Sequence, residues 1–259
     1  MFSEELEFFF RDKEKEETKF LSTDKIYIVR VDGKGFSKLT KKYFQKPYDD
    51  SFYNLIVSAV IRIMKEAQYN IVFSYMQSDE ISFVIHPTYK MKNRKVLSCI
   101  PSTISSFMTM FAQTLVSNEP WIFNAPFVFD ARIVELNNME EFVNYFKWRL
   151  GDAQGNSLNN TIYWDAILNQ NKSRKEASRL LDDSYANKMK LYGNKHIKYP
   201  FEYRNGSMAF FEKYQKTGYN PLTKTPTIVN RRQVVVEPIK DEIQLLNTAK
   251  KALFKSFKK

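Results

Sequence analysis

Two short acidic motifs in the first third of the chain contain the residue types that bind divalent cations. Asp32 and Gly33 follow a β-rich run, and Asp79 and Glu80 belong to a Gln-Ser-Asp-Glu sequence further along. Mg²⁺ prefers oxygen ligands and is usually held by one or two carboxylates together with substrate phosphates. Asp32 and Asp79 could bridge two Mg²⁺ ions, an arrangement that serves phosphoryl and nucleotidyl transfer. Gly33 could turn sharply and add its carbonyl oxygen, and Glu80 could be a further ligand or a solvated turn residue.

Basic residues surround the first acidic motif. A triphosphate needs such cations, and the turn at Gly33, Lys34 and Gly35 could supply backbone amides that cradle its oxygens. An exposed basic loop would have the same composition. Lys95, in a cluster that opens a predicted helix, could contact phosphates or be a solvated helix start, and no Walker A or dinucleotide fingerprint is present. The basic residues near the first motif are Arg30, Lys34, Lys38, Lys41, Lys42 and Lys46.

The predicted elements of the first half would bring the two acidic motifs together. Strands are expected at residues 27–31, 71–75, 81–85 and 127–134, and helices from Asp50 onward and at residues 102–116. This β-α-β-β-α-β order predicts an α+β, ferredoxin-like antiparallel sheet, with helices on one face and the other face open to a substrate. Each motif alone is typical of an ordinary turn. In this topology, however, the end of the first strand lies beside the tip of the central hairpin.

The second half of the chain favours helices. Helical spacing occurs at residues 139–150, 158–168 and 172–181, a late strand is expected at 231–236, and a basic amphipathic helix at 241–259. The basic helix could contact phosphates, cap an oligomer or lie on a membrane. We therefore expect a catalytic palm region at 1–137, a helical region completing the same domain at 138–220, and a basic C-terminal extension at 221–259.

Composition excludes several classes of protein and site. The 259 residues carry a net charge of +11, which suggests an anionic partner such as nucleic acid or an acidic membrane. One cysteine, Cys99, excludes an internal disulfide framework, and two histidines make a His-based zinc centre improbable. No apolar run approaches the ~20 residues that a membrane helix needs. The acidic N-terminus lacks the features of a targeting peptide. We therefore expect a cytoplasmic protein without a membrane partner.

Several segments, in order, resemble the tRNA-His guanylyltransferase family. Residues 27–36, Tyr-Ile-Val-Arg-Val-Asp-Gly-Lys-Gly-Phe, are similar to its first motif, and Lys-Pro-Tyr-Asp at 46–49 is similar to its Lys-Pro-Asn-Asp. Residues 75–83 resemble its Tyr-Gly-Gln-Ser-Asp-Glu-Tyr-Ser-Phe signature closely. Further likenesses are Phe-Asp-Ala-Arg at 129–132, a helical motif between Tyr145 and Trp164, and Arg-Asn-Gly-Ser at 204–207. The match runs from about residue 1 to 210.

The resemblance implies a polymerase-like palm that extends the 5′ end of tRNA in the 3′-to-5′ direction. The RNA would carry a 5′-monophosphate activated with ATP, or a 5′-triphosphate, and the 3′-hydroxyl of an incoming nucleotide, typically GTP, would attack it. Asp32, the Gly33 carbonyl and Asp79 would hold two Mg²⁺ ions, with Glu80 a weaker candidate. A homotetramer is also implied. The nucleotide-binding set is Arg30, Lys34, Gly35, Phe36, Lys46, Asp49, Ser78 and Lys95, and the RNA-binding set is Gln154, Asn156, Asn160, Lys188 and Arg204.

Departures from the family pattern fall outside the acidic pair. Gln154 and Ser157 replace a histidine and an asparagine of the family's His-Ile-Asn-Asn motif, Lys188 begins Lys-Met-Lys instead of Lys-Asn-Glu, and Tyr48 replaces asparagine. In the family, the positions in the second half of the chain are tied to tRNA recognition. The pattern is nearer the family's like-proteins, which carry out template-directed 5′ repair of truncated tRNAs.

Other functions share parts of this pattern. Strict single-guanosine addition to histidine tRNA is the nearest alternative. Nucleotide cyclases and cyclic-dinucleotide synthases share the acidic pair, so only product analysis separates them. A non-catalytic RNA-binding module could share the topology, but it usually presents stacked aromatics in a basic-glycine-aromatic motif, which this sequence lacks.

Overall fold

The computed structural model describes residues 4–15, 20–85, 91–115, 126–220 and 222–257. Among these residues, no helix is both long and apolar enough to cross a membrane. His86 and the last two lysines of the predicted basic helix lie outside the described residues.

One antiparallel sheet of six strands organises the described part of the chain. Its strand order is β4-β1-β3-β2-β5-β6. The first four strands follow the predicted β-α-β-β-α-β order, and the predicted α+β palm fold is confirmed. The strands are β1 (Ile26–Gly33), β2 (Ile71–Gln77), β3 (Glu80–Ile85), β4 (Phe129–Leu136), β5 (Ser207–Asn220) and β6 (Thr225–Pro238).

Nine α-helices accompany the sheet within the described residues, and the longest of them is α5. The helices are α1 (Glu4–Lys15), α2 (Phe36–Tyr43), α3 (Asp50–Met64), α4 (Asn93–Leu115), α5 (Met139–Leu168), α6 (Arg174–Arg179), α7 (Tyr185–His196), α8 (Phe201–Arg204) and α9 (Glu242–Phe257).

Helices α3 and α4 cover one face of the sheet. α3 begins after Asp49, whose side chain accepts a hydrogen bond from the Phe52 amide, as an N-cap residue does. Apolar residues at three- and four-residue steps then bury one side of the helix against the sheet. The strand side chains on this face include Val29, Val31 and Phe83. This packing fixes the ends of β1 and β3, where the acidic motifs lie.

The opposite face of the sheet is also covered, so the prediction of an open substrate face is wrong. Ile28, Phe73 and Val84 point to this side and form a second core with residues of α5 and α9. The physical reason is visible in β1 and β3, where apolar residues follow one another without polar alternation, as strands buried on both faces require. A substrate must therefore approach at the ends of the strands.

Two elements of the second half differ from the sequence prediction. The helices expected at 139–150 and 158–168 form one continuous helix, α5, which runs through Gly151 and Gly155. β5 was not predicted, and β6 is longer than the expected strand. Residues 212–220 of β5 are largely exposed on both faces, so the apolar alternation that marks a half-buried strand is missing.

Candidate active site

The acidic motifs meet where β1 ends and the β2–β3 hairpin turns. Asp32 is the cross-strand partner of Glu80 in the β1–β3 ladder. The hairpin turn consists of Ser78 and Asp79, and Ser78 adopts a positive φ of 53°, as tight two-residue turns often require. A Cβ atom placed on Gly33 would lie 2.8 Å from the Oδ2 atom of Asp79. The structure therefore brings Asp79 directly against the Asp32–Gly33 segment.

The surroundings of Asp79 disfavour an unneutralised carboxylate. Burial raises the pKa of Asp79, and the negative charge of Asp32 adds to this effect. Hydrogen bonds from its own backbone amide and from Ser78, and the positive charge of Lys46, oppose the rise in pKa. A partly buried Asp79 carboxylate with Asp32 beside it would gain from a bound cation, because the cation neutralises both charges. The donor set of Asp32, Asp79 and the Gly33 carbonyl consists only of oxygens and fits Mg²⁺.

Glu80 faces the same region but is already held by an arginine of α5. The Nε and Nη2 atoms of Arg149 lie 2.7 Å from Oε1 and 2.8 Å from Oε2 of Glu80. Arg149 also contacts Asp152 at 3.0 Å. Burial raises the pKa of Glu80, whereas the charges of Arg149 and Arg30 oppose that rise. No cluster of three or more His, Cys, Asp or Glu side chains suited to a metal occurs among the described residues. Because Arg149 contacts both carboxylate oxygens of Glu80, the geometry favours the two aspartates over Glu80 as cation ligands.

A cavity of about 560 Å³ opens beside the acidic pair. This volume lies within the range of pockets that bind small ligands. α2, α3, α5 and the β2–β3 turn contribute to its wall. The predicted site residues that line it are Asp32, Phe36, Lys46, Asp49, Ser78, Asp79, Glu80, Asn156 and Asn160.

Aromatic side chains form the part of the cavity that sequence reasoning missed. The rings of Tyr48 and Tyr203 stack with centroids 4.7 Å apart at 17°. The Lys46 ammonium lies 5.8 Å from the centre of the Trp164 ring and 2.7 Å from the Thr40 hydroxyl. Burial lowers the pKa of Lys46, and the charges of Asp79 and Asp49 oppose this. The cavity therefore combines flat rings with a cation whose charge interacts with those of Asp79 and Asp49.

Two of the cavity residues also form hydrogen bonds to the backbone of residues 45–52. Asp49 accepts hydrogen bonds from the amides of Phe52 at 2.9 Å and Gln45 at 2.8 Å. The Asn160 side chain donates to the Pro47 carbonyl at 2.9 Å. These contacts tie the Lys-Pro-Tyr-Asp segment to α3 and α5, and so they fix the position of Lys46.

The remaining predicted site residues lie outside the cavity lining. Arg30 faces α5, and Lys34, Gly35 and Lys95 are exposed on or near the ends of helices α2 and α4. The predicted RNA-binding side chains have partners within the chain: Gln154 donates to Asn205, Lys188 to Asn159 and the Leu181 carbonyl, and Arg204 to the Tyr199 carbonyl. Their roles in RNA binding stay predictions.

Substitution of Gly33 should disturb the acidic pair through sterics alone. An added Cβ would lie 2.5 Å from Cδ2 of Phe36 and 2.8 Å from Cβ of Asp79. We expect Gly33→Ala to lower the free energy of unfolding by about 1–3 kcal/mol, as overpacking does, measured by urea denaturation. Gly151→Ala is the matched control, since a Cβ there meets nothing within 4 Å; it should be neutral or stabilising by up to ~1 kcal/mol. Equal changes in the free energy of unfolding for Gly33→Ala and Gly151→Ala would contradict the close approach of Gly33 to Phe36 and Asp79.

A buried polar network behind the cavity includes a histidine. The Tyr48 hydroxyl lies 2.7 Å from the Ser157 hydroxyl, which lies 2.9 Å from Nε2 of His196. Tyr48 and Ser157, two departures from the family pattern, therefore contact each other directly. Burial lowers the pKa of His196, and the charge of Arg204 adds to this.

The lowered pKa of His196 gives a pH-dependent contribution to stability. Because the folded protein favours the neutral ring, the unfolded chain binds more protons below about pH 6.5, and stability should fall as the pH decreases. His196→Asn should lose this contribution. The difference in urea midpoint between wild type and His196→Asn is therefore expected to shrink from about pH 7.5 to about pH 5. A difference independent of pH would contradict this expectation.

Comparison with known proteins identifies relatives along most of the chain. The family model described as "tRNAHis guanylyltransferase" matches residues 3–137, and that described as "Thg1 C terminal domain" matches residues 140–251. The chain is 31% identical to a probable tRNA(His) guanylyltransferase of Dictyostelium discoideum over 82% of this chain and 84% of the relative. It is 34% identical to the tRNA(His) guanylyltransferase of Schizosaccharomyces pombe over 70% and 71% of the two chains.

Solved structures share the fold at lower sequence identity. The tRNA(His) guanylyltransferase of Saccharomyces cerevisiae is 22% identical, with a TM-score of 0.67 over 76% of this chain and 90% of its own. A bacterial Thg1-like protein solved in complex with ATP is 20% identical, with a TM-score of 0.69 over 92% and 94% of the chains. The family models and the curated relatives together show that this chain belongs to the tRNA(His) guanylyltransferase family of nucleotidyltransferases.

Proposed function

We propose that the protein is a Mg²⁺-dependent 3′-5′ nucleotidyltransferase that adds nucleotides to the 5′ end of tRNA. The observation that carries this proposal is the convergence of Asp32 and Asp79 at the rim of a cavity of about 560 Å³. Family membership supports the same chemistry, since the relatives are named tRNA(His) guanylyltransferases. In this proposal residues 1–137 supply the acidic pair and residues 138–220 complete the cavity.

The reaction joins an incoming nucleotide to an activated RNA end. The 3′-hydroxyl of the nucleotide attacks the 5′-phosphorus of the RNA, and a phosphodiester bond forms. The bond from that phosphorus to the leaving group breaks, which releases AMP from a 5′-adenylylated RNA or pyrophosphate from a 5′-triphosphorylated one. Such chemistry depends mainly on positioning and on neutralising charge at the phosphorus.

Each cavity residue has a definite part in this arrangement. Asp32, Asp79 and the Gly33 carbonyl would hold two Mg²⁺ ions, which would supply neutralising charge at the reacting phosphate and acidify the attacking hydroxyl. Lys46, whose charge interacts with those of Asp79 and Asp49, would contact phosphate oxygens. Ser78 donates to Asp79 and fixes its orientation. The stacked rings of Tyr48 and Tyr203 offer a flat apolar wall for a base.

The substrate range is proposed to be wider than single-guanosine addition to histidine tRNA. The family's histidine-containing recognition motif is altered here: Gln154 stands in place of the histidine and Ser157 in place of an asparagine. The Ser157 hydroxyl forms hydrogen bonds with Tyr48 and His196, and the Gln154 side chain donates a hydrogen bond to Asn205. The altered contacts favour template-directed repair of truncated tRNA with GTP and the other nucleoside triphosphates. A homotetrameric assembly stays a prediction from the resemblance.

Incubation with 5′-truncated tRNAs tests the proposal. Purified protein, Mg²⁺, ATP and all four nucleoside triphosphates are mixed with truncated tRNAs of several identities, and the RNA products are sequenced. We expect template-matched nucleotides at the 5′ ends of several tRNAs. A single guanosine on histidine tRNA alone would establish the narrower alternative. A cyclic product from GTP without RNA, or RNA binding without turnover, would contradict the proposal.

A further inference from the structure

A solvent-exposed tryptophan lies just outside the cavity, beside the acidic pair. Trp148 of α5 is 54% exposed, although it follows a buried stretch of the same helix and immediately precedes Arg149, whose guanidinium holds Glu80. The Arg149 guanidinium carbon is 4.5 Å from the centre of the Trp148 ring, and that of Arg30 is 5.6 Å away. The ring centres of Tyr145 and Trp148 are 5.9 Å apart, and the two rings are nearly perpendicular. The indole is thus held in place while more than half of its surface faces solvent.

Arg30, which lies next to this ring, faces a second arginine on the adjacent strand. Arg30 of β1 is the cross-strand partner of Arg132 of β4, and like charges in this relation destabilise a sheet. The charge of Arg149 is balanced by Glu80 and Asp152. Among the described residues, Arg132 has an ion pair of 3.9 Å with exposed Asp130. The charge of Arg30 acts on Glu80, but the buried Nε atom of Arg30 has no hydrogen-bond partner among those residues. An anion near Arg30 and Arg132 would relieve their repulsion.

This surface is distinct from the cavity that takes the incoming nucleotide. Trp148, Arg30 and Arg132 do not line that cavity, whereas Asp32 and Glu80 border both regions, since Arg30 lies two residues before Asp32 on the same side of β1. The surface carries an exposed flat ring beside Arg30, and the next strand carries Arg132, whose ion pair with Asp130 is long and exposed. Such a combination suits the end of a nucleic acid chain, which offers a base to stack and a row of phosphates. A free nucleotide would be expected in an enclosed pocket instead.

We infer that Trp148 stacks on the terminal base of the RNA 5′ end, while Arg30 and Arg132 contact its backbone phosphates. The inference rests on the proposed function, because it assigns the surface on which the second substrate of that reaction lies. It makes Trp148 a binding residue for the RNA end: the stack adds affinity for RNA whose 5′-phosphorus lies beside Asp32 and Asp79, and it affects RNA binding more than the rate at saturating RNA. The incoming nucleotide occupies the cavity on the other side of the pair.

Substitution of Trp148 separates RNA binding from nucleotide binding. Trp148→Leu keeps apolar bulk but removes the aromatic face, and Trp148→Phe retains a smaller face. We expect Trp148→Leu to raise the RNA concentration for half-maximal single-turnover addition by about 5- to 100-fold, the range of one base–aromatic stack. The rate at saturating RNA and the half-saturating GTP concentration should stay within about twofold, and Trp148→Phe should recover most of the loss.

The salt dependence of RNA binding tests the role of the arginines independently. Arg132→Gln should flatten the slope of log binding constant against log salt by about 0.7–0.9, as one lost phosphate contact does, measured with fluorescently labelled truncated tRNA. Tyr185→Ala removes an exposed aromatic on α7, which is 52% exposed, and is the control expected to change neither quantity.

The outcomes distinguish the inference from the proposed function. If wild-type protein adds no nucleotide to any RNA, the proposed function fails. If wild type is active and Trp148→Leu binds RNA as tightly as Tyr185→Ala, the inference alone fails. An equal rise in the half-saturating GTP concentration would place Trp148 at the nucleotide and also overturn it. Thermal melts of each variant establish that the comparison concerns folded protein.

Discussion

Replacing Asp79 with Asn is expected to reduce single-turnover nucleotide addition by about 10³-fold or more. Asp79 is one of two carboxylates that would hold the neutralising cations, and loss of several kcal/mol of charge stabilisation corresponds to this factor. The substitution keeps the size of the side chain. Radiolabelled transfer to a 5′-truncated tRNA at saturating Mg²⁺ measures the effect.

The same substitution should leave stability unchanged or slightly raised. Burial and the charge of Asp32 raise the pKa of Asp79, which means that folding disfavours its charged form, and a neutral amide removes that cost. Inactivity can then not be attributed to unfolding. Glu135→Gln, which neutralises an exposed carboxylate on β4, is the control and should retain activity. Activity of Asp79→Asn close to that of Glu135→Gln would remove Asp79 from the mechanism.

Arg149→Met is expected to lower the free energy of unfolding by about 3 kcal/mol or more. The Arg149 and Glu80 side chains are only 8% and 21% exposed, and removal of one partner leaves the other charge buried without compensation. Combining Glu80→Gln with Arg149→Met should recover part of the loss, because no uncompensated carboxylate then remains. Urea denaturation of the two single variants and the double variant measures the coupling.

An exposed ion pair between α5 and α9 provides the matched control. Lys147 contacts Glu242 at 3.3 Å, and both side chains are about half exposed, at 49% and 48%. Lys147→Met should therefore change the free energy of unfolding by less than about 1 kcal/mol. Similar small losses in Lys147→Met and Arg149→Met would show that the Arg149–Glu80 pair does not hold α5 to the hairpin turn.

The parts of the site that could be predicted from sequence are those set by local structure. A strand that ends at Asp32 and Gly33, and a hairpin whose turn contains Asp79, are each encoded by a few adjacent residues. The order of strands and helices then places both at the same end of the neighbouring strands β1 and β3. The sequence also predicted the start of α3, because a run with helical spacing follows Asp50.

The parts that could not be predicted depend on contacts between distant residues. Arg149 and Glu80 are separated by 69 residues, and Tyr48 and Ser157 by 109. No local pattern links such pairs, so sequence reasoning treated Glu80 as a spare ligand and Tyr48 as an isolated departure from a motif. The covered second face was missed for a related reason: continuous apolar runs in β1 and β3 were used to identify strands but not to ask how many faces are buried.

Anomalous diffraction from crystals grown with Mn²⁺ and GTP tests the central claim most directly. Mn²⁺ takes the oxygen ligands that Mg²⁺ takes and is visible in an anomalous difference map. The account predicts peaks roughly 2 Å from carboxylate oxygens of both Asp32 and Asp79, with the nucleotide in the adjoining cavity. GTP bound in the cavity with no anomalous peak at this pair, or with metal only elsewhere on the protein, would contradict it.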